Sequence, residues 1–304
     1  MTVLRSRRLA GLAGGTALTL TLAGIAVAVS APAQARVTRT LIQSHVVASW
    51  GLNAEGELGD GTTMSRWQFG DVRAGNDVVQ VAAGVDHAVA VRSDGTVWAW
   101  EFNGHGELGD RTTTRKAVTD HEAAPTRVAV LNGVIKISAG FDFALALRSD
   151  GIVFAWGHGQ RGQLGNGGTA DSAVPAKIAG LSRVTGLPAY VAGISAGTGF
   201  AAVLGADGSV WDWGANAIGE LGMAPESPTV TRPVNAMAGG SGITQLSAGG
   251  THMLALKSDG TVLAWGYNAY GQLGRSRTRP ASPVRCISRG VRDSVLAHRR
   301  PVRP

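Results

Sequence analysis

The sequence predicts an all-β fold, a propeller of four-stranded blades, about five in number. Three observations carry that reading. A decapeptide, Trp-Gly-x-Asn-x-x-Gly-Glu/Gln-Leu-Gly, is read at 50–59, 100–109, 156–165, 213–222 and 265–274, at intervals of 50, 56, 57 and 52 residues. A second element, Ser/Ala-Ala-Gly-x-x-His/Phe, starts at Ala82, Ser138, Ser195 and Ser247 and leads into an apolar run that ends in Asp-Gly. Third, the unit consists of short apolar strands set between turn residues, and at a period near 50 residues that combination describes a blade.

Each element of the unit can be justified in order. The stretch from His87 to Ser93 reads as a strand, Asp94-Gly95 as a two-residue type I′ turn with both central residues at positive φ, and Thr96 to Trp100 as the returning strand. The same turn is expected at Asp150-Gly151, Asp207-Gly208 and Asp259-Gly260. Apolar residues occupy both faces of these strands, as at Val97, Trp98, Ala99 and Trp100. Such strands must be sandwiched between layers, which stacked blades provide. Variable linking segments follow at 62–77, 111–133, 166–193 and 223–242, with Pro125, Pro175 and Pro233 beside short apolar stretches. Proline suits an outer edge strand, where not every N–H is needed. Leu41 to Trp50 supplies only part of a first unit.

These elements together resemble the repeat of the regulator of chromosome condensation (RCC1) family, which carries AGxxH, S-D-G-x-[VL] and WGxNxxGQLG. The resemblance covers roughly Leu41 to Gly274. It implies an RCC1-like β-propeller whose family norm is seven blades; at 50 to 57 residues per unit this chain reaches only about five. Residues 36–274 are therefore read as the propeller domain. Residues 275–304, rich in Arg and Pro, are read as a basic, disordered tail left by a premature end of the reading frame. An incomplete ring exposes blade faces that are normally buried, so self-association through the terminal blades is expected.

Residues 1–35 read as an export signal. Arg5, Arg7 and Arg8 precede an apolar run from Leu9 to Val29, and Ala33-Gln34-Ala35 fits the small-residue rule for cleavage. Ser6-Arg7-Arg8-Leu9 leaves the general and the twin-arginine routes both open. The mature chain is then expected outside the cell or in its envelope, with no membrane span. The pI near 10.3 invites a nucleic-acid reading, but the charge is unevenly placed. Residues 36–274 hold 16 Lys+Arg against 20 Asp+Glu, a net of −4, while the last 30 residues hold nine Arg and one Asp. A mildly acidic body with a basic tail is no nucleic-acid face. Cys286 is the single cysteine, so no intramolecular disulfide can form.

Internal repeats supply a control for catalytic motifs, because a catalytic residue is unique to one copy and a structural residue recurs. Gly193-Ile-Ser195-Ala-Gly197 matches a nucleophile elbow, yet Ser195 is the repeat's own Ser, equivalent to Ser138 and Ser247. Gly157-x-Gly159-x-x-Gly162 matches a dinucleotide fingerprint, yet Asn53, Asn103, Asn216 and Asn268 occupy the place of Gly159. Asn and Gly share a tolerance for left-handed backbone, so a turn requirement is expected there. His87 and His252 alternate with Phe143 and Phe200, which makes them aromatic fillers. Glu57, Glu107 and Glu220 alternate with Gln163 and Gln272, which makes them hydrogen-bonding groups. No catalytic, cofactor or metal-ligand set survives, so no enzyme and no cofactor is expected.

What remains unique lies in the linking segments and loops. Arg66, Trp67 and Phe69 combine a cation with two aromatics, a composition found at binding hot spots, although Trp67 and Phe69 would serve equally to pack a blade edge. Glu101, where every other copy has Gly, and the departures His105 and Arg161 complete the candidate partner-binding residues. The reading is an exported, non-enzymatic scaffold for a protein partner. The resemblance adds an enzyme-inhibitor role of the β-lactamase-inhibitor kind. Its alternative is guanine-nucleotide exchange on a small GTPase, the activity for which the family was named.

Overall fold

In a computed structural model the described residues are 18–22, 25–29, 47–113, 123–178, 180–181, 191–223, 227–237, 241–274 and 286–288. Among them all regular structure is strand. Four blades are complete, each an antiparallel sheet whose strands follow one another in chain order. Before them stand a hairpin, β1 (Leu18–Leu22) and β2 (Ile25–Val29), and a two-stranded unit, β3 (Ala48–Gly51) and β4 (Arg66–Asp71).

The second unit comprises β5 (Val78–Ala83), β6 (His87–Arg92), β7 (Val97–Glu101) and β8 (Thr126–Arg127). The third comprises β9 (Val134–Ala139), β10 (Phe143–Arg148), β11 (Val153–Gly157) and β12 (Ser172–Lys177). The fourth comprises β13 (Val191–Ala196), β14 (Phe200–Gly205), β15 (Val210–Ala215) and β16 (Thr229–Met237). The fifth comprises β17 (Ile243–Ala248), β18 (His252–Lys257), β19 (Val262–Gly266) and β20 (Cys286–Ser288). Pro125, Pro175 and Pro233 lie beside or within the fourth, outermost strand of their blades, as edge positions require.

The two-residue period of a strand divides each blade between two cores. Ala88 pairs with Trp100, and both belong to a core shared with Val47, Val72 and Ala74 of the preceding unit. Val89 pairs with Ala99, and both belong to a core shared with Ala144, Ala146 and Trp156 of the following blade. The pattern repeats at the next two junctions, around Trp213 and around Trp265. The innermost strands are stitched together as well. Gln80 in β5 donates from Nε2 to the Ile137 carbonyl and accepts from its N–H, both at 3.0 Å. Ser138 Oγ accepts from Ala196 N–H at 3.1 Å and Ser195 Oγ from Ala248 N–H at 2.8 Å. Ser195, the nucleophile of the apparent elbow, is therefore a tie between blades.

The turn and the tail differ from expectation, and a third feature concerns the N-terminal stretch. The hairpin turn is wider than type I′: Gly95 N–H bonds the Arg92 carbonyl, only Gly95 has positive φ (75°), and Asp94 Oδ1 accepts from Thr96 N–H at 2.9 Å. This is a type I turn followed by a left-handed glycine, and Asp recurs for its side-chain oxygen rather than for its backbone. Second, three residues of the tail are strand: Cys286–Ser288 pairs with Val262–Ala264 and gives the fifth blade its fourth strand, while the other tail residues lie outside the described set. Third, the stretch read as a signal contains the hairpin Leu18–Leu22 and Ile25–Val29, whose second strand lies against β3. Leu-Thr-Leu-Thr-Leu and Ile-Ala-Val-Ala-Val alternate with the period of a strand, so one run of residues satisfies both descriptions. The rest of residues 1–46 lie outside the described residues. No helix of the described residues is long and apolar enough to cross a membrane.

Candidate binding surfaces

The decapeptide closes each blade as a loop, and its repeated polar groups are used inside that loop. In every copy the Glu or Gln side chain accepts the N–H two residues before it. The distances are 2.8 Å for Glu57, 2.9 Å for Glu107, 2.8 Å for Gln163, 2.9 Å for Glu220 and 3.0 Å for Gln272. Carboxylate and amide do the same work, as their interchange predicts. The Asn side-chain oxygen accepts from the Leu five residues on: Leu58 at 2.8 Å, Leu108 at 3.1 Å, Leu221 at 3.2 Å and Leu273 at 3.0 Å. None of these Asn residues has positive φ, so the turn requirement inferred from Asn/Gly exchange is corrected. Gly159 is small for another reason: a Cβ there would meet the Ala170 carbonyl at 2.1 Å.

The indole of the next repeat then ties one blade to another. Trp100 Nε1 donates to the Glu57 carbonyl at 3.1 Å, Trp156 to Glu107 at 2.7 Å and Trp213 to Gln163 at 2.8 Å. The third, fifth and sixth positions of the decapeptide differ from copy to copy; the third and sixth are Leu52 and Glu55, Phe102 and His105, His158 and Arg161, Ala215 and Ile218, Tyr267 and Tyr270.

The six candidate residues do not form one surface. Arg66, Trp67 and Phe69 lie on β4, the outer strand of the first unit. Trp67 is 97% exposed and Phe69 64% exposed, so they do not pack into a blade edge. Arg66 is engaged, with Nη1 2.9 Å from Asp60 Oδ2. Glu101, His105 and Arg161 instead sit in or beside the decapeptide loops. Glu101 is buried and holds φ 89°, where Gly51, Gly157, Gly214 and Gly266 hold 120°, 98°, 105° and 104°. Burial, then the carboxylates of Glu57, Asp86 and Glu55, pushes its pKa up to about 8. It is a strained, buried group rather than a contact residue.

His105 belongs to a cluster that comparison of equivalent positions misses. Its Nδ1 lies 2.8 Å from Asp171 Oδ2, and its ring centroid lies 4.4 Å from that of His158 in the next blade. One ligand atom from each of His105, His158 and Asp171 lies within 4.8 Å of the others. Asp171 Oδ1 accepts from Gly159 N–H at 2.8 Å, and Gln163 Nε2 lies 3.1 Å from His158 Nδ1. Glu107, fully buried behind this cluster, has its pKa raised to about 7 by burial, and its Oε1 has no hydrogen-bond partner. Burial also raises Asp142, whose field includes His158, His105 and Arg161. The available signal in the sequence was that His105 and His158 both depart from their sister repeats. They occupy different positions of the motif, however, and only the blade junction brings them together.

His87 behaves as a filler. Its ring is buried over Gly84, makes no hydrogen bond of good geometry, and has its pKa lowered to about 4 by burial, with the Phe141 and Phe143 backbone acting in opposition.

Blades tied through a Trp-Gly loop, with an aromatic at the head of each second strand, define a β-propeller of the RCC1 type. The chain belongs to the RCC1-like domain family, which it matches over residues 21–298. That span exceeds the 36–274 read from the repeats at both ends. The chain is 30% identical over 238 residues to the ultraviolet-B receptor UVR8 of Arabidopsis thaliana, covering 77% of this chain and 52% of the relative. It thus spans about half the length of that protein. Among solved structures it resembles human WBSCR16, at 24% identity and a TM-score of 0.68, covering 80% of this chain and 62% of the other. It also resembles Prp20p of Saccharomyces cerevisiae, studied for its binding to Gsp1p and histones, at 20% identity and a TM-score of 0.68, covering 88% and 62%. At these identities the structures speak for the fold.

Proposed function

We propose that the chain is an exported, non-enzymatic scaffold that binds a protein partner through its variable loops and outer edge, as an enzyme inhibitor of the β-lactamase-inhibitor kind. One observation carries the reading. Most of the repeated polar groups are hydrogen-bonded within or between blades, whereas Trp67 stands 97% exposed beside Phe69 on β4. A pair of large exposed aromatics on one strand offers apolar contact area to a partner, which favours binding over chemistry. Prp20p, with the same fold, is a binder of proteins, which supports the class.

The test uses the purified full chain against a panel of serine β-lactamases. Saturable inhibition weakened about 30-fold by Trp67→Ala is expected, the size of a hot-spot loss of about 2 kcal/mol. Absence of binding to any of them would remove the inhibitor reading, and accelerated nucleotide release from a small GTPase would favour the exchange-factor alternative. N-terminal sequencing of protein from the culture medium tests export: a start at Arg36 is expected, and a cell-retained chain still carrying Leu18–Val29 would overturn it.

A further inference from the structure

We propose that His105, His158 and Asp171 form a binding site for a divalent transition-metal cation of the zinc class at the junction of the second and third blades. The donor set is two imidazoles and one carboxylate, with the three ligand atoms within 4.8 Å of one another. Two nitrogens and one oxygen suit zinc-like cations, whereas magnesium and calcium favour oxygen donors alone. Metal–ligand bonds of about 2.0–2.1 Å at the tetrahedral angle place neighbouring ligand atoms roughly 3.4 Å apart. The 2.8 Å contact of His105 with Asp171 therefore needs to open by about half an ångström, with the ion taking the place of the shared proton.

One ligand is already held as in metal sites: Asp171 is fixed through its other oxygen by Gly159 N–H. Gln163 Nε2 lies 3.1 Å from His158 Nδ1 and can only donate there, so His158 gives up that bond when it ligates. Behind His105, the Glu107 carboxylate accepts the main-chain N–H of His105 through one oxygen, as in every repeat, while its other oxygen stays buried without a partner. The three ligands come from a loop of the second blade and from a loop and outer segment of the third. Binding would therefore clamp two blades as well as hold the ion.

Isothermal titration of the full chain with Zn²⁺, with Mg²⁺ as the contrast, tests the proposal. One equivalent of Zn²⁺ is expected, with no saturable binding of Mg²⁺. His105→Ile and His158→Ala install the residues that a sister loop carries at those positions, Ile218 and Ala215, so folding is preserved. Each is expected to weaken Zn²⁺ at least tenfold, as is Asp171→Asn, while His252→Phe leaves it unchanged. Bound Co²⁺ should show tetrahedral absorption bands that vanish in the double histidine variant. Lack of saturable Zn²⁺ binding, or binding undiminished in that double variant, would overturn the proposal.

Discussion

Leu145 and Leu254 hold the same register position in the second strands of the third and fifth blades, opposite Ala155 and Ala264 respectively. Leu145 is fully buried in the core shared by the third and fourth blades, whereas Leu254 is half-buried at the margin of a core that contains little beyond Ala264 and Leu273. Identical residues in identical strands thus differ because one blade has a neighbour against that face among the described residues and the other does not. Stability in this fold resides at the junctions between blades, as expected of an array in which each unit leans on the next.

Truncating the two leucines gives the sharpest contrast. Leu145→Ala is expected to cost about 2–5 kcal/mol in urea unfolding, as a full cavity in a closed core does, and Leu254→Ala less than about 1.5 kcal/mol. Equal losses would break the comparison.

The histidines offer a second contrast through pH. His87 is buried at an inner junction with its pKa lowered to about 4, so the unfolded chain takes up its proton first. Its contribution to stability is complete above about pH 6.5 and is lost as pH falls toward 4, about 3 kcal/mol in all. His87→Phe should flatten the acid limb of the stability profile. His252, in the fifth blade, is also lowered by burial but is only partly buried, so His252→Phe should change that limb less.

Glu101 offers a third contrast, between a repeated position and its departure. Its raised pKa means that the unfolded chain ionises first, so this group loses stability as pH rises from about 4.5 to about 8. Restoring the repeat's residue with Glu101→Gly also relieves the left-handed backbone. A gain of about 1 kcal/mol from the backbone is expected in thermal unfolding, growing by about 3 kcal/mol between pH 5 and pH 8.

The repeats made most of the fold legible, because periodic Trp, Gly and Leu positions report directly on shared cores. The hydrogen-bonding role of Glu57 and Gln163 was legible too, since interchange of a carboxylate with an amide leaves only one property in common. The role of the Asn residues was misread: exchange with Gly159 pointed to backbone conformation, while the true reasons are a side-chain acceptor in four copies and a close carbonyl in the fifth. The His105, His158 and Asp171 cluster was hidden because it joins unlike positions of successive units, and no comparison of like with like reveals it. Cys286–Ser288 was missed since a three-residue strand within an Arg-rich stretch has no period to display.

Amide hydrogen exchange resolved to single strands tests most directly whether the junctions hold the molecule together. Protection should be high and similar in Phe143–Arg148 and Phe200–Gly205, which are covered on both faces, and markedly lower in His252–Lys257. Equal protection of all three strands would contradict the account, because stability would then belong to the single blade.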